Sequence, residues 1–364
     1  MKIGILGAGQ LARMIALAGY PLGLQFVFLD PSAEACANSL GQHLHGAYDD
    51  PRLLAELADL ADVVTYEFEN VPADVADFLA SHTQVHPAPK ALAVAQDRLI
   101  EKAFFRDINI PTAPYAPVNN FADLESAINT IGYPAILKSC TMGYDGKGQS
   151  LIKSVDDLAV AWEVLAGAPA VLEGFVPFNR EVSIIAARNV AGDIEFYPLS
   201  KNTHRGGILR IAKCLDSDAL QTQAQHYVTR LLEALDYVGV LALELFDVNG
   251  QLVANEFAPR VHNSGHWTIE GAETSQFENH LRAIANLPLG KTHAVGKSAM
   301  INFIGGLPVT EELLALPNTH LHLYDKAPRK GRKVAHATIR AETAEQLDSL
   351  IEKLAQIADQ VDDS

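Results

Sequence analysis

The chain has 364 residues, 48% of them hydrophobic and 20% charged, with 44 acidic against 28 basic side chains and a net charge of −16. That length holds two or three domains of roughly 150 residues with buried cores, which excludes a small stapled scaffold, and the composition excludes a disordered chain. The acidic balance argues against a general DNA or RNA binder, whose affinity draws on cationic counterion release, but leaves room for a local basic pocket.

No apolar run reaches the roughly 20 residues needed to cross a bilayer, and MKIGILGAGQLARM lacks an apolar stretch followed by a small-residue cleavage site. A soluble, unprocessed, cytoplasmic protein with no membrane partner is expected. Cys36, Cys140 and Cys214 are odd in number and widely spaced. They fit a reducing compartment and offer no structural zinc motif.

In chain order, residues 2–9 (KIGILGAG) are an apolar run ending in glycines, followed by an amphipathic segment to Ala18 and a second run, FVFLD, ending at Asp30. With the helix-like DPRLLAELADLA and the strand-like DVVTYEF, residues 1 to about 95 predict a parallel α/β layer. A long helix is predicted from about Lys90 to Asp107, and Pro111, Pro114 and Pro117 mark a boundary. From Pro134 the pattern becomes strands joined by glycine-rich or polar turns: PAILKS, the loop GYDGKGQ, SLIK, AVLEGFV and EVSIIAAR. A helix at about 217–236 leads to YVGVLALELFDV and QLVANEFAPR, a hairpin candidate across Asn249-Gly250. A helix near 275–285, the strand SAMINFIGG, the basic segment KAPRKGRK and an acid- and alanine-rich helix complete the chain.

Several motifs carry chemistry. Gly7, Gly9 and Ala12 with Asp30 match a dinucleotide fingerprint, in which glycines admit a pyrophosphate and the acid binds ribose. The same turn also suits any phosphate at a helix N-terminus, or a plain strand-to-helix connection. Lys138 ends a strand before Gly143, Tyr144, Asp145, Gly146, Lys147, Gly148 and Gln149, a pattern in which backbone N–H groups and a strand lysine can crowd a polyphosphate. In AVLEGFV the backbone can meet an adenine edge while Glu173 accepts from the exocyclic amine, and Glu181 can take ribose hydroxyls. Glu244 in LALELF and Glu256 in LVANEF are costly in apolar strands unless paired or metal-bound. A plain two-residue turn would set Glu244 opposite Asn255 and turn Glu256 to the other face. An odd-numbered loop or a bulge would put both carboxylates together. The stretch APRVHNSGHW gathers Arg260, His262, Asn263, Ser264 and His266 as anion-binding groups. Lys326, Arg329, Lys330, Arg332 and Lys333 form either a phosphate site or a solvated turn.

Together Lys138, GYDGKGQ, EGFV, Glu181, Glu244 and Asn255-Glu256 resemble the ATP-grasp superfamily. GAGQLARM, YPLSKNTHRGGILR, ANEFAPRVHNSGHWT and LYDKAPRKGRKVAH are similar, over nearly the whole chain, to the 5-(carboxyamino)imidazole ribonucleotide synthase family of purine biosynthesis. One departure is Ser200-Lys201, where many relatives carry an acidic residue before Asn202. The resemblance implies an α/β and α+β architecture with the ATP-grasp fold: an N-terminal Rossmann-like parallel-sheet domain (1–97), an ATP-grasp domain (98–290) with a small lid domain at about 112–175, and a C-terminal antiparallel domain (291–364). It implies ATP-dependent carboxylation of 5-aminoimidazole ribonucleotide with bicarbonate through carboxyphosphate, by a magnesium-using homodimer holding two ions.

By the same resemblance, Arg98, Lys138, the Gly143–Gln149 loop, the segment Glu173, Gly174, Phe175 and Val176, and Glu181, His204, Asn255 and Glu256 surround ATP. Glu244 and Glu256 hold magnesium. Gln10, Leu11, Tyr144, Asp145, His262, Asn263, Lys326, Arg332 and Lys333 contact the ribonucleotide or bicarbonate, and Asp145, Lys326 and Arg260 act in catalysis. Two other classes stay open on the residues alone: a nicotinamide-dependent oxidoreductase resting on Gly7, Gly9 and Asp30, and a non-catalytic nucleotide-binding module. Within the ligases, a formate-using enzyme acting on glycinamide ribonucleotide is the runner-up.

Overall fold

A computed structural model describes residues 1–141, 143 and 148–362, and among these residues the strands form three sheets. The first is parallel, in the order Gln42–His45, Gln25–Asp30, Lys2–Leu6, Val63–Tyr66, Gln84–Val85. Its three central strands are near-continuous apolar runs because helices cover both faces, while the edge strands QHLH and QV are more polar. One of these, Gln10–Gly19, packs on the helix Gln276–Ile284 and so joins the first sheet to the main body.

The predicted helix from Lys90 to Asp107 is two helices, Pro89–Ala95 and Arg98–Asp107. The break is chemical. Asp97 takes an extended backbone and accepts the N–H groups of Leu99 and Ile100, starting a new helix, while the Gln96 amide donates to the Glu69 and Val71 carbonyls. The helix predicted at 217–236 is shorter, Gln221–Ala234, because Asp218 accepts from Leu220 N–H and pairs with Arg180.

The small antiparallel sheet runs Tyr115–Val118, Ala170–Gly174, Ala135–Ser139, Gln149–Ile152, over its own apolar core around Leu124, Leu137, Ile152 and Leu172. EVSIIAAR does not continue it. That segment, Arg180–Arg188, lies in the large antiparallel sheet between Gly239–Val248 and Leu199–Arg205. Beyond Ile208–Leu215 the same sheet continues into Lys297–Ile304, Lys333–Ala341 and Thr319–Leu323. The last helix, Ala344–Gln360, opens with a Thr343–Gln346 capping box and packs on this extension. No helix among the described residues is long and apolar enough to cross a membrane.

Candidate active site

The strand order places Lys2–Leu6 beside Val63–Tyr66 at the point where the chain connections diverge, and crevices form beyond the carboxyl ends of such strands. Here that crevice is one end of a cleft of about 650 Å³, lined by Gly9, Gln10 and Leu11 from one loop and residues 67–70 from the other. Gly7 has φ +99°, and a Cβ there would lie 2.3 Å from Glu67 Cγ. The Glu67 carboxylate accepts the N–H groups of Gly9 at 2.6 Å and Ala12 at 3.0 Å. Asp30 accepts from Ala8 N–H at 2.9 Å, Ser32 N–H at 2.7 Å and the Tyr48 hydroxyl at 2.9 Å. The helix N-terminus is thus already capped by the chain's own anion, and Asp30 is spent on local turns. These contacts overturn the nicotinamide alternative, because a pyrophosphate would meet a carboxylate where the fingerprint needs bare N–H groups.

A second wall comes from the small sheet. Lys138 ends the strand Ala135–Ser139 and lines the cleft with Gly143 and Gln149. Tyr144, Asp145, Gly146 and Lys147 lie outside the described residues. Opposite stand Glu181 and His204, with His204 Nδ1 2.5 Å from Glu181 Oε2. Burial alone would depress this histidine, but the Glu181 carboxylate reverses the effect and raises it. Phe178 and Phe246 stack at 4.8 Å on the same wall. Glu173 is buried and does not line the cleft: both Lys138 and Lys102 approach its Oε2 at 3.1 Å. Gly174, Phe175 and Val176 follow it on the connection to the large sheet, and Gly148 precedes Gln149; none of these lines the cleft.

The two strand carboxylates resolve the geometric question. The turn Asn249-Gly250 has two residues, both with positive φ, and pairs Val248 with Gln251 and Leu245 with Ala254. A bulge then inserts Asn255, so Glu244 stands opposite Glu256, and Asn255 and Glu256 both line the cleft. Burial pushes both carboxyls up. At Glu244 the His262 ring, 3.2 Å away, together with His204 and Arg260, outweighs burial and holds the carboxyl low. At Glu256 the charge of Glu244 adds to burial and outweighs Arg98 and Lys138, leaving the carboxyl raised. The positive groups thus favour Glu244, and Glu256 stays raised although Arg98 lies 3.6 Å away.

The far end is basic. Lys326 donates to the Gln10 side chain, and burial lowers its ammonium, helped by Arg332 and Lys333. Lys326 and Lys333 line the cleft; Arg329 and Lys330 point to solvent. Arg332 is off the wall and donates to the Ala327 carbonyl. The segment is therefore half site and half solvated turn. Arg260 is held by Glu69, whose charge keeps its guanidinium raised against burial. His262 and Asn263 line the cleft, while Ser264 and His266 lie fully buried behind them. Asn263 and Asn302 exchange amide hydrogen bonds. Ser200 is also buried, bonded to Ser264 and Trp267, which gives it a packing role outside the cleft.

Four residues escaped the sequence reading: Glu67, Glu69, Glu101 and Lys102. The first two follow an apolar parallel strand in YEFEN, where acids beyond a strand's carboxyl end mark a crevice. The others share one helix face with Arg98 and the buried Phe105. Glu101 accepts Phe257 N–H at 2.7 Å, beside Glu256, and burial with that neighbouring charge raises it to about 8.

Fold and cleft are those of the ATP-grasp class. The ATP-grasp domain model matches residues 103–277, the ribonucleotide synthetase preATP-grasp domain residues 1–96, and the phosphoribosylaminoimidazole carboxylase C-terminal domain residues 298–350. The N5-carboxyaminoimidazole ribonucleotide synthase of Pseudomonas aeruginosa is 54% identical over 340 residues, 93% of this chain and 94% of its own. The synthetase structure from Thermus thermophilus superposes with a TM-score of 0.93 at 51% identity, covering 98% of each chain. An Aspergillus clavatus structure in complex with ADP and 5-aminoimidazole ribonucleotide gives 0.92 at 32% identity, over 99% of this chain and 98% of that one. This chain belongs to the N5-carboxyaminoimidazole ribonucleotide synthase family.

Proposed function

We propose that this chain carboxylates 5-aminoimidazole ribonucleotide with bicarbonate at the expense of ATP, releasing N5-carboxyaminoimidazole ribonucleotide, ADP and phosphate. The supporting observation is one cleft with three chemistries in line: Lys138 facing Glu181 and His204 at one end, the facing carboxylates Glu244 and Glu256 in the middle, and Lys326 with Lys333 at the far end. ATP spans the first two, with Arg98, Asn255 and the Gly143–Gln149 loop around it. The ribonucleotide phosphate lies toward Lys326 and Lys333, its ribose toward Gln10 and Leu11.

The carboxylate pair fits magnesium, since Glu244 and Glu256 face each other on the cleft wall and their mutual repulsion leaves the Glu256 carboxyl raised. Among the described residues no cluster of three or more His, Cys, Asp or Glu would hold an ion alone. Glu244 and Glu256 would therefore share the ion with phosphate oxygens and water, as magnesium prefers. When bound, two such ions would neutralise charge on the β- and γ-phosphates.

Bicarbonate is a poor electrophile because its carbon bears an anionic oxygen. One of its oxygens attacks the γ-phosphorus, the bond to the ADP oxygen breaks, and carboxyphosphate forms. Arg260, fixed by Glu69, and the donors of His262 and Asn263 hold the bicarbonate in line. Lys138 balances charge developing on the transferred group. The exocyclic amine of the ribonucleotide then bonds to the carboxyl carbon, directly or after CO₂ is released in the closed cleft, phosphate leaves, and the amine gives up a proton. Asp145 orients that amine, and Lys326, a buried ammonium with a lowered proton affinity, serves the same end of the site. The working form on this reading is a cytoplasmic homodimer, checked by sedimentation. The deciding experiment is phosphate release by purified protein: turnover that depends on both bicarbonate and 5-aminoimidazole ribonucleotide supports the proposal, and ATP hydrolysis indifferent to both removes it.

A further inference from the structure

Lys102 is the least expected charge in this molecule. It sits on the helix Arg98–Asp107, is 1% exposed, and reaches across to the small sheet, where its Nζ lies 3.1 Å from Glu173 Oε2. Lys138 Nζ lies at the same distance from the same oxygen and donates a hydrogen bond to it, whereas Lys102 is held there by charge with no hydrogen bond to its Nζ among the described residues. Glu173 is 4% exposed, and its other oxygen, Oε1, is buried with no partner among the described residues.

A buried carboxylate needs one compensating cation, and burying a second ammonium costs free energy that packing alone would avoid by placing an apolar residue there. Two lysines acting only as structural partners would also be expected to divide between the two oxygens. Here both converge on Oε2, Oε1 is left bare, and the three groups sum to one excess positive charge. Only Lys138 lines the cleft, so that excess is presented to the cleft through Lys138.

We propose that Lys102 is a positioning residue that takes up the charge of Glu173, so that the Lys138 ammonium stays available to a polyphosphate. Without Lys102, Glu173 would neutralise Lys138 and the wall would present no net charge. Burial pushes the Glu173 carboxyl up, and the two lysines together more than reverse this, so the acid is charged and the balance is needed at neutral pH. The same contact ties the small sheet to the helix whose Arg98 and Glu101 meet Glu256 and Phe257. The inference rests on the reading of this wall as the ATP site.

The test removes charges of opposite sign from the full-length chain and measures ADP binding by calorimetry, with the KM for ATP and for the ribonucleotide. Lys102→Met keeps the stem and deletes the charge; ADP affinity should fall about tenfold, the KM for ATP should rise in step, and the KM for the ribonucleotide should stay within about twofold. Glu173→Gln, which keeps an acceptor oxygen, should not weaken ADP binding. The double variant Lys102→Met/Glu173→Gln should recover most of the affinity lost in the single Lys102 change. A plain structural ion pair predicts the reverse: either single change weakens binding, and the double variant is no better. Should Lys102→Met fail to fold, the double variant decides, since it buries no uncompensated acid; affinity tenfold below the parent would overturn the proposal. A parent protein that binds no ADP sinks the ATP reading itself, whereas ADP binding left unchanged by Lys102→Met sinks only this inference.

Discussion

Glu244 stands opposite Glu256 because Asn255 is one residue too many for the strand that carries it. Without the bulge, the two-residue turn at Asn249-Gly250 would have set Glu244 against Asn255. Two acids held together by backbone register, with burial raising the carboxyl of one of them, are a destabilised arrangement kept for what it holds.

Neutralising that pair should therefore separate activity from stability. Glu256→Gln is expected to lower kcat by about a thousandfold or more, since a metal-bound charge supplies several kcal/mol to the transition state. In metal-free buffer its Tm should equal or exceed that of the parent, because a repulsive charge is gone. A variant that keeps full phosphate release would show that Glu256 holds no catalytic metal.

Glu101 gives a pH-dependent signature. Its carboxyl is ordinary in the unfolded chain and raised to about 8 in the fold, by burial first and Glu256 second. The folded state therefore holds this proton where the unfolded state has lost it, and stability declines as pH rises from about 4.5 toward 8. Glu101→Gln keeps an acceptor for Phe257 N–H and has no proton to lose. Urea denaturation at several pH values should show the stability of Glu101→Gln relative to the parent growing as pH rises through this window; a constant difference would refute the assignment.

His204 behaves in the opposite sense. Glu181 raises the imidazole above its ordinary value despite burial. The pair is at full strength below the unfolded value of about 6.5 and is lost as pH rises through the folded one. In an NMR titration, Glu181→Gln should lower the His204 midpoint, because burial is then opposed only by the smaller pull of Glu244. An unmoved midpoint would show that the carboxylate does not set it.

Glu67 is a structural cap as well as part of the cleft. Glu67→Ala strands the N–H groups of Gly9 and Ala12 and should cost about 2–4 kcal/mol in denaturant unfolding, with Glu67→Gln costing less. A loss below about 0.5 kcal/mol would mean that water replaces the carboxylate without penalty.

What the sequence made legible follows from what its patterns encode. Parallel strands, the small sheet and the hairpin announce themselves through apolar period and turn residues, and so do Lys138, Glu244 and Glu256, because a charge inside an apolar strand is conspicuous. The helix break at Asp97 was hidden because the helical apolar period runs through it, and the capping bonds that make it are single contacts. Glu101 and Lys102 were hidden for a related reason: on a helix, adjacent opposite charges look like a solvated pair until Phe105 shows which face is buried. The bulge at Asn255 cannot be read from spacing at all, since an added residue and a shifted turn leave the same string of letters. Glu67 was missed because a glycine turn advertises an anion site without saying that the chain supplies the anion.

The continuity of the large sheet has one more consequence. Ile208–Leu215 is an interior strand only because Lys297–Ile304 pairs along it. A fragment ending before Lys297 would lose Lys326 and Lys333 and would also expose the row of backbone donors and acceptors on ILRIAKCL, an open template for pairing with other chains. The last fifth or so of the sequence thus protects the preceding domain from aggregation, and a truncated enzyme should precipitate before its chemistry could be assayed.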